Sequence, residues 1–185
     1  MSVGSEIRAI FRAVGVKLRD FRKGGDPLGV RKPEREMLSG FSDWYRQVAL
    51  NKVEGLSLGD ASRVMTPTGL SPLGVVKHLT WAERGWFRDT FAGEDVPEEV
   101  SVEESFMVEP DDTVESVVAA YREECAHSRR ITHAAPSLDK LSASGAHYRG
   151  HVSLRWIVVH MLEETARHAG HLDIMREQID GRTGD

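Results

Sequence analysis

Residues 153–179 have the sequence SLRWIVVHMLEETARHAGHLDIMREQI. Its apolar residues recur at helical spacing, which predicts one long α-helix that ends at Gly181. One stripe of this helix mixes apolar residues with a carboxylate and two imidazoles: Leu154, Ile157, Met161, Glu164, His168, His171 and Met175. The apolar members indicate a buried face. Polar groups on that face lose hydration, so they require partners that offset the cost.

Three further segments carry helical periodicity, at about residues 34–53, 72–91 and 113–134. The first of these has an apolar stripe of four residues: Leu38, Phe41, Tyr45 and Val48. The acidic connection 93–111 contains two prolines, which argue against a helix there. Four amphipathic helices joined by long connections predict an all-α fold, a four-helix bundle with long inter-helix connections.

The helix ends carry recognisable signals. Ser71 and Pro72 suit the first two positions of the second helix, and Gly93 suits its end. Asp112, with Glu115 three residues later, predicts a capping box at the start of the third helix.

Residues 1–30 form a separate question. Their apolar residues have helical spacing and the opposite face is basic. We predict an N-terminal amphipathic extension over residues 1–30, an extra helix that packs on the bundle or on a partner chain, and a bundle domain over residues 31–185. A helix lying on a membrane surface is less favoured, because the segment has no Trp and its apolar face is narrow.

Composition excludes several classes of function. The chain has 185 residues, is 40% hydrophobic and has a formal net charge of -5, so nucleic acid is not an expected partner. No apolar run approaches the roughly 20 residues that span a bilayer. The single cysteine, Cys125, excludes an intrachain disulfide and is expected to be a small core residue. We therefore expect a cytoplasmic protein with no membrane partner.

The polar residues of the last helix suggest a metal site. Glu164 and His168 are four residues apart, so their Cβ atoms lie roughly 5–6 Å apart on neighbouring turns and can reach one ion. His78 shares the predicted buried face of the second helix with Val75 and Leu79, and is the best third ligand. Three protein ligands with an open position are typical of catalytic zinc, and the same ligands suit nickel, iron or manganese. A structural ion pair between Glu164 and His168 is the alternative.

Two arginines stand close to these residues in the sequence. Arg84 and Arg167 either meet a carboxylate of a ligand or pair at the surface with Glu83 and Glu163.

Two long segments and a short one resemble a known group of proteins. Residues 153–185 and residues 71–97 (SPLGVVKHLTWAERGWFRDTFAGEDVP) resemble the DinB-like superfamily, in particular its actinobacterial mini-circle protein branch, as does PSLD at residues 136–139. The likeness covers roughly residues 33–185. It implies a four-helix bundle with a long crossover connection and a metal triad at His78, Glu164 and His168.

The resemblance also implies a chemistry. The mycothiol-dependent maleylpyruvate isomerases, which are related, resemble this chain in having a glutamate at the position of Glu164. Relatives use mycothiol, bacillithiol or glutathione. The usual HRGQ pattern is HAGH here, so His171 replaces a glutamine. It is expected to hold a ligand in place by a hydrogen bond, to contact the substrate or to be an alternative ligand.

Three hypotheses follow. The first is a metal-dependent thiol S-transferase or isomerase, of mycothiol type, in which a metal-bound thiolate attacks a small-molecule electrophile; zinc and nickel are the favoured ions, and no side chain is assigned as catalytic. The second is a non-enzymatic bundle that binds metal or a ligand in stress response. The third is a purely structural bundle. Members of the superfamily often pair, which makes a homodimer an expectation that the residues leave open.

Overall fold

The structure, a computed structural model, describes residues 31–96, 100–145 and 150–184. Within these residues the chain is all-α, apart from one isolated antiparallel bridge between Leu141 and Ser153. The helices are α1 (Glu34–Val53), α2 (Leu58–Ala61), α3 (Pro72–Glu83), α4 (Val114–Ala134) and α5 (Leu154–Asp180), with a π-helix (Arg84–Ala92) that continues α3 and a 3₁₀ turn (Glu104–Phe106). The predicted all-α bundle is confirmed. The extra helix and the domain predicted for residues 1–30 lie outside the described residues.

The first and last long helices run side by side in the same direction. Arg155 at the start of α5 pairs with Glu34 at the start of α1, at 2.8 Å. Near the other end of both helices, Arg176 donates to the carbonyl oxygen of Lys52 at 2.9 Å. Contacts at matching ends show that α1 and α5 are parallel.

The other two long helices run the opposite way. Lys77 in the first turns of α3 pairs with Asp112 just before α4, at 2.6 Å, so these two helices are parallel to each other. Arg35 at the start of α1 donates to the carbonyl oxygen of Thr132 at the end of α4, at 2.7 Å, so α1 and α4 are antiparallel. The order is up, down, down, up. The connection between α3 and α4 must therefore return along the whole bundle, which explains its length.

Most helix-end signals are where the sequence placed them. Ser71 caps α3 by accepting from the Gly74 amide at 3.1 Å, and Gly93 ends the π-helix with a φ of 68°. The predicted cap of α4 was wrong: Thr113 and Ser116 form the capping box, not Asp112 and Glu115. Asp112 precedes the N-cap residue, and its carboxylate accepts from Lys77 and from the Glu109 amide.

The buried face of α1 also differs from the prediction. Leu38, Phe41 and Tyr45 are only partly buried, whereas Ser42 and Arg46 are buried. The reason is an ion pair inside the bundle: both Arg46 nitrogens Nε and Nη2 donate to the Glu83 carboxylate, at 2.7 and 2.8 Å. A bidentate pair offsets the desolvation of both charges, which lets charged residues occupy a core face.

The apolar core is divided into two clusters along the bundle. The cluster at the start of α3 and α4 includes Leu172 and Met175 of α5, and the cluster at the opposite end includes Ile157 and Met161. The polar part of the α5 stripe lies between these two clusters. No helix of the described residues is long and apolar enough to cross a membrane.

Gly74 fixes where the long crossover lies. A Cβ on this residue would overlap the carbonyl oxygen of Phe106 and would lie 2.9 Å from Ser71 Oγ. The absence of a side chain therefore allows the 3₁₀ turn to press against the first turn of α3. This contact brings Ser105 and Phe106 over His78, which lies one turn further along α3.

Replacing Gly74 by alanine tests this contact. Because the obstructing atom belongs to the backbone, the crossover must shift, and we expect a loss of about 1–3 kcal/mol in the free energy of unfolding. The matched control is Gly170→Ala in α5, where nothing lies within 4 Å of the added Cβ. That change should leave stability equal or raise it by up to about 1 kcal/mol through helix propensity. Urea denaturation of both variants measures the difference; equal stabilities would contradict the contact.

Candidate metal centre

Three side chains from two helices converge on one point. His78 comes from α3, Glu164 and His168 from α5, and one potential ligand atom of each lies within 4.8 Å of the others. Glu164 Oε1 is 3.0 Å from His78 Nε2 and 3.1 Å from His168 Nε2. The two histidines are buried and the glutamate is partly buried. The structure thus brings together the three residues that the sequence suggested as ligands.

The position of the proton on a neutral His78 ring follows from the contact of its Nδ1 atom, on the side away from Glu164. Ser105 Oγ donates its only proton to the carbonyl oxygen of Val102 at 2.6 Å. It must therefore accept from His78 Nδ1, which lies 2.8 Å away. A neutral His78 ring consequently carries its proton on Nδ1 and turns the lone pair of Nε2 toward Glu164.

That arrangement places two acceptors, His78 Nε2 and Glu164 Oε1, opposite each other at 3.0 Å. Two lone pairs at this distance repel unless a positive charge lies between them. A second proton on the imidazole satisfies this requirement, and so does a divalent cation. Atoms bound to one ion at about 2.0–2.2 Å are themselves separated by roughly 3–3.5 Å, so the observed spacing fits a shared ion.

His168 is held in a similar way. Its Nδ1 lies 3.3 Å from Nδ1 of His171, which stands one turn further along α5. A neutral His168 that donates from Nδ1 to His171 leaves the lone pair of its Nε2 toward Glu164. Burial, followed by the charge of His168, lowers the pKa of His171, which favours the neutral form that can accept this hydrogen bond.

Glu164 is oriented by groups on both of its oxygens. While Oε1 faces the two histidines, Oε2 lies 3.2 Å from Nη1 of Arg167. Where no metal ion is bound and the two Nε2 atoms carry protons, the hydrogen bonds donated by His168 and then His78 hold the pKa of Glu164 well below its usual range, so the carboxylate is ionised at neutral pH. An ionised carboxylate beside two imidazoles is a ligand set that suits zinc, nickel, iron or manganese.

Two aromatic rings cover His78. Phe106 of the crossover stacks on it with ring centroids 3.9 Å apart, and Trp81 of α3 stacks at 5.6 Å. Ser105 and Phe106 did not emerge from the sequence as site residues. They lie in an acidic connection without helical periodicity, and only the up-down-down-up topology carries them to His78. The two adjacent residues form no sequence motif that predicts a binding site.

The two arginines that stand near the ligands in the sequence both pair with carboxylates. Arg167 pairs with Glu163, as one alternative predicted, whereas Glu83 is buried on Arg46 and does not meet Arg84. Arg84 and Arg88, four residues apart on the π-helix, instead reach Glu124 Oε1 at 2.8 and 3.2 Å.

The fold and the cluster together define a class: a helical bundle with a histidine–glutamate–histidine cluster between two of its helices. The chain belongs to the mycothiol S-transferase family, whose family model matches residues 37–181. This membership agrees with the resemblance to DinB-like proteins and supports a function of the mycothiol S-transferase type; the closer likeness to the mini-circle branch stays a prediction. No curated protein and no solved structure matches the chain.

The protein's own thiol is poorly suited to nucleophilic chemistry. Cys125 is buried in the cluster at the start of α4, and burial raises the pKa of its thiol to about 12. At pH 8 the thiolate fraction is then about a thousandfold below that of a free cysteine.

Alkylation tests this assignment. We expect iodoacetamide at pH 8 to modify Cys125 at least about a thousandfold more slowly in the folded protein than in urea, as followed by intact mass. Modification of the native protein at the rate of a free thiol would contradict the inert role.

Proposed function

We propose that this protein is a metal-dependent mycothiol S-transferase in which His78, Glu164 and His168 hold one divalent cation, with zinc and nickel as the favoured ions. The observation that carries the proposal is the convergence of His78 Nε2 and His168 Nε2 on one carboxylate oxygen of Glu164, in a chain of this family. A cation bound there would lower the pKa of a thiol that reaches its open position and would supply a thiolate at neutral pH.

The chain's own residues contribute binding and orientation. His78 and His168 can each turn the lone pair of Nε2 toward a cation, because Ser105 and His171 can accept hydrogen bonds from the Nδ1 atoms of their rings. Phe106 covers one of these imidazoles and limits the access of water to it.

The net reaction conserves atoms without an added oxidant or reductant. The sulfur of the thiol forms a bond to the electrophilic carbon of the second substrate. The bond to the leaving group breaks, and the leaving group departs with the proton lost by the thiol. The sulfur nucleophile belongs to the substrate, which agrees with a buried and inert Cys125.

Metal content is the first test. Elemental analysis of protein purified without a histidine tag should find about one divalent ion per chain. Saturation at about 100 times the dissociation constant should stabilise the fold by about 2.7 kcal/mol, which raises the melting temperature by roughly 5–11 °C. His168→Ala should lose the ion and the shift. The control His133→Ala changes an exposed histidine of α4 and should keep both. An equal metal content in wild type and His168→Ala would rule out this ligand set.

The two residues that accept hydrogen bonds from the ligating imidazoles give a second test. Ser105→Ala and His171→Leu each remove an acceptor from a ligating imidazole, and we expect the metal affinity to fall roughly 10–100-fold in each. His171→Gln should keep near-normal affinity, because an amide oxygen can accept the same hydrogen bond. Ser42→Ala removes another buried hydroxyl, one that donates to the Leu38 carbonyl in α1, and serves as the control. Competition titration with a chromogenic chelator measures all four; equal loss in His171→Gln and His171→Leu would contradict the positioning role.

Turnover separates an enzyme from a binding protein. With mycothiol and an aryl halide or bromobimane, we expect metal-dependent thiol consumption that is lost in a folded His168→Ala variant and retained in Cys125→Ala. Bacillithiol and glutathione serve as comparison thiols. A protein that binds its metal stoichiometrically but consumes no thiol would support the non-enzymatic alternative.

A further inference from the structure

A large open cavity lies beside the candidate metal centre, on the other side of the crossover. Its volume is about 900 Å³, and it lies between α2 with the following loop and the crossover segment 102–112. Phe106 lines this cavity and also stacks on His78. We call it the crossover groove. It shares one wall with the metal centre but contains none of the three candidate ligands.

The walls of the crossover groove are unusually apolar for a surface. Four of its large apolar side chains are strongly exposed: Leu58 (45%), Val64 (62%), Val102 (51%) and Met107 (58%). Exposed apolar residues scattered singly are normal, but a contiguous group of them marks a binding surface. The groove is therefore expected to have an occupant with an apolar face.

The charge of the crossover groove indicates that its occupant is basic. Four of the described residues that line it are carboxylates, and none is Lys or Arg: Glu103, Glu104, Glu109 and Asp112. Asp112 pairs with Lys77, while Glu103 and Glu109 are exposed. An occupant with basic residues flanking an apolar stripe would gain both apolar burial and charge complementarity.

The chain itself contains a segment of this kind, in residues 7–22. Its apolar residues follow the spacing i, i+4, i+7, i+11, i+14: Ile7, Phe11, Val14, Leu18 and Phe21. The same stretch holds five basic residues and one acidic residue: Arg8, Arg12, Lys17, Arg19, Arg22 and Asp20. The segment precedes the family match, which begins at residue 37, so membership of the family does not account for it.

The chain length allows the segment to reach the groove. The described residues begin at Arg31, near the start of α1, and the groove lies toward the opposite end of that helix, beyond α2. The 20 residues of α1 cover roughly 30 Å. Residues 23–30 supply nine Cα–Cα steps between Arg22 and Arg31, which can extend over about as much, at roughly 3.3 Å per step.

We propose that residues 7–22 dock in the crossover groove of the same chain, with the apolar stripe on Leu58, Val64, Val102 and Met107 and the basic residues toward Glu103 and Glu109. Docking there covers the side of Phe106 that lines the groove, opposite the side that stacks on His78.

Hydrogen–deuterium exchange of the full-length protein tests the docking, with no metal or thiol added, so its outcome is independent of the proposed function. We expect the amides of residues 7–22 to exchange more slowly than an unstructured chain, and to speed up at least about tenfold in Met107→Asp. The matched control is Ile174→Asp, which changes an equally exposed apolar residue (59%) outside the groove, and it should leave the exchange of residues 7–22 unchanged.

Charge-exchange variants distinguish release of residues 7–22 from unfolding of the protein. Arg8→Glu with Arg12→Glu, or Glu103→Lys with Glu109→Lys, should each release the segment, while all four changes together should restore protection to within about twofold. Amides of α5 should be unaffected throughout. Exchange of residues 7–22 at the unstructured rate in wild type would overturn the proposal. So would protection that rises with protein concentration, which indicates a second copy, or protection that requires phosphatidylglycerol vesicles, which indicates a membrane.

Discussion

The site depends on one electrostatic constraint: two lone pairs face each other across 3.0 Å inside a helical bundle. His78 Nε2 and Glu164 Oε1 can occupy these positions only with a positive charge between them. A neutral His78 ring that donates from Nε2 would remove this repulsion. Ser105 prevents that tautomer, because it donates its own proton to the Val102 carbonyl and must accept from His78 Nδ1. The choice is thus between a second proton and a metal ion, and the two compete, so metal affinity should fall as the pH falls.

The topology of the bundle imposes this constraint. The helices α3 and α4 run parallel to each other and antiparallel to the pair α1–α5, so the connection between α3 and α4 must return along the bundle. Gly74 lets that connection settle against α3, and Ser105 and Phe106 arrive at His78 as a result. The ligands come from helices, but the group that sets the tautomer of His78 comes from a segment without periodicity.

The ligands lie on periodic helices and the residue that supports His78 does not, and this difference explains how much could be predicted from the sequence. The four long helices and most of their ends could be predicted, because helical period and local capping are short-range properties. The cluster of His78, Glu164 and His168 could be predicted because polar residues on buried faces need partners and because the family resemblance implies the same three positions. The buried face of α1 could not, because Arg46 enters the core only through its partner Glu83, 37 residues away. Ser105 was missed for the same reason: its role exists only through a contact with a residue that is distant in the sequence.

Anomalous diffraction from crystals grown with zinc or nickel shows whether an ion occupies the cluster. We expect one strong peak per chain, about 2.0–2.2 Å from His78 Nε2, His168 Nε2 and an oxygen of Glu164, with at least one position open to solvent. The absence of a peak at this point, with the Glu164 carboxylate still hydrogen-bonded to both imidazoles, would contradict this expectation. The cluster would then be a buried ion pair that supports the fold.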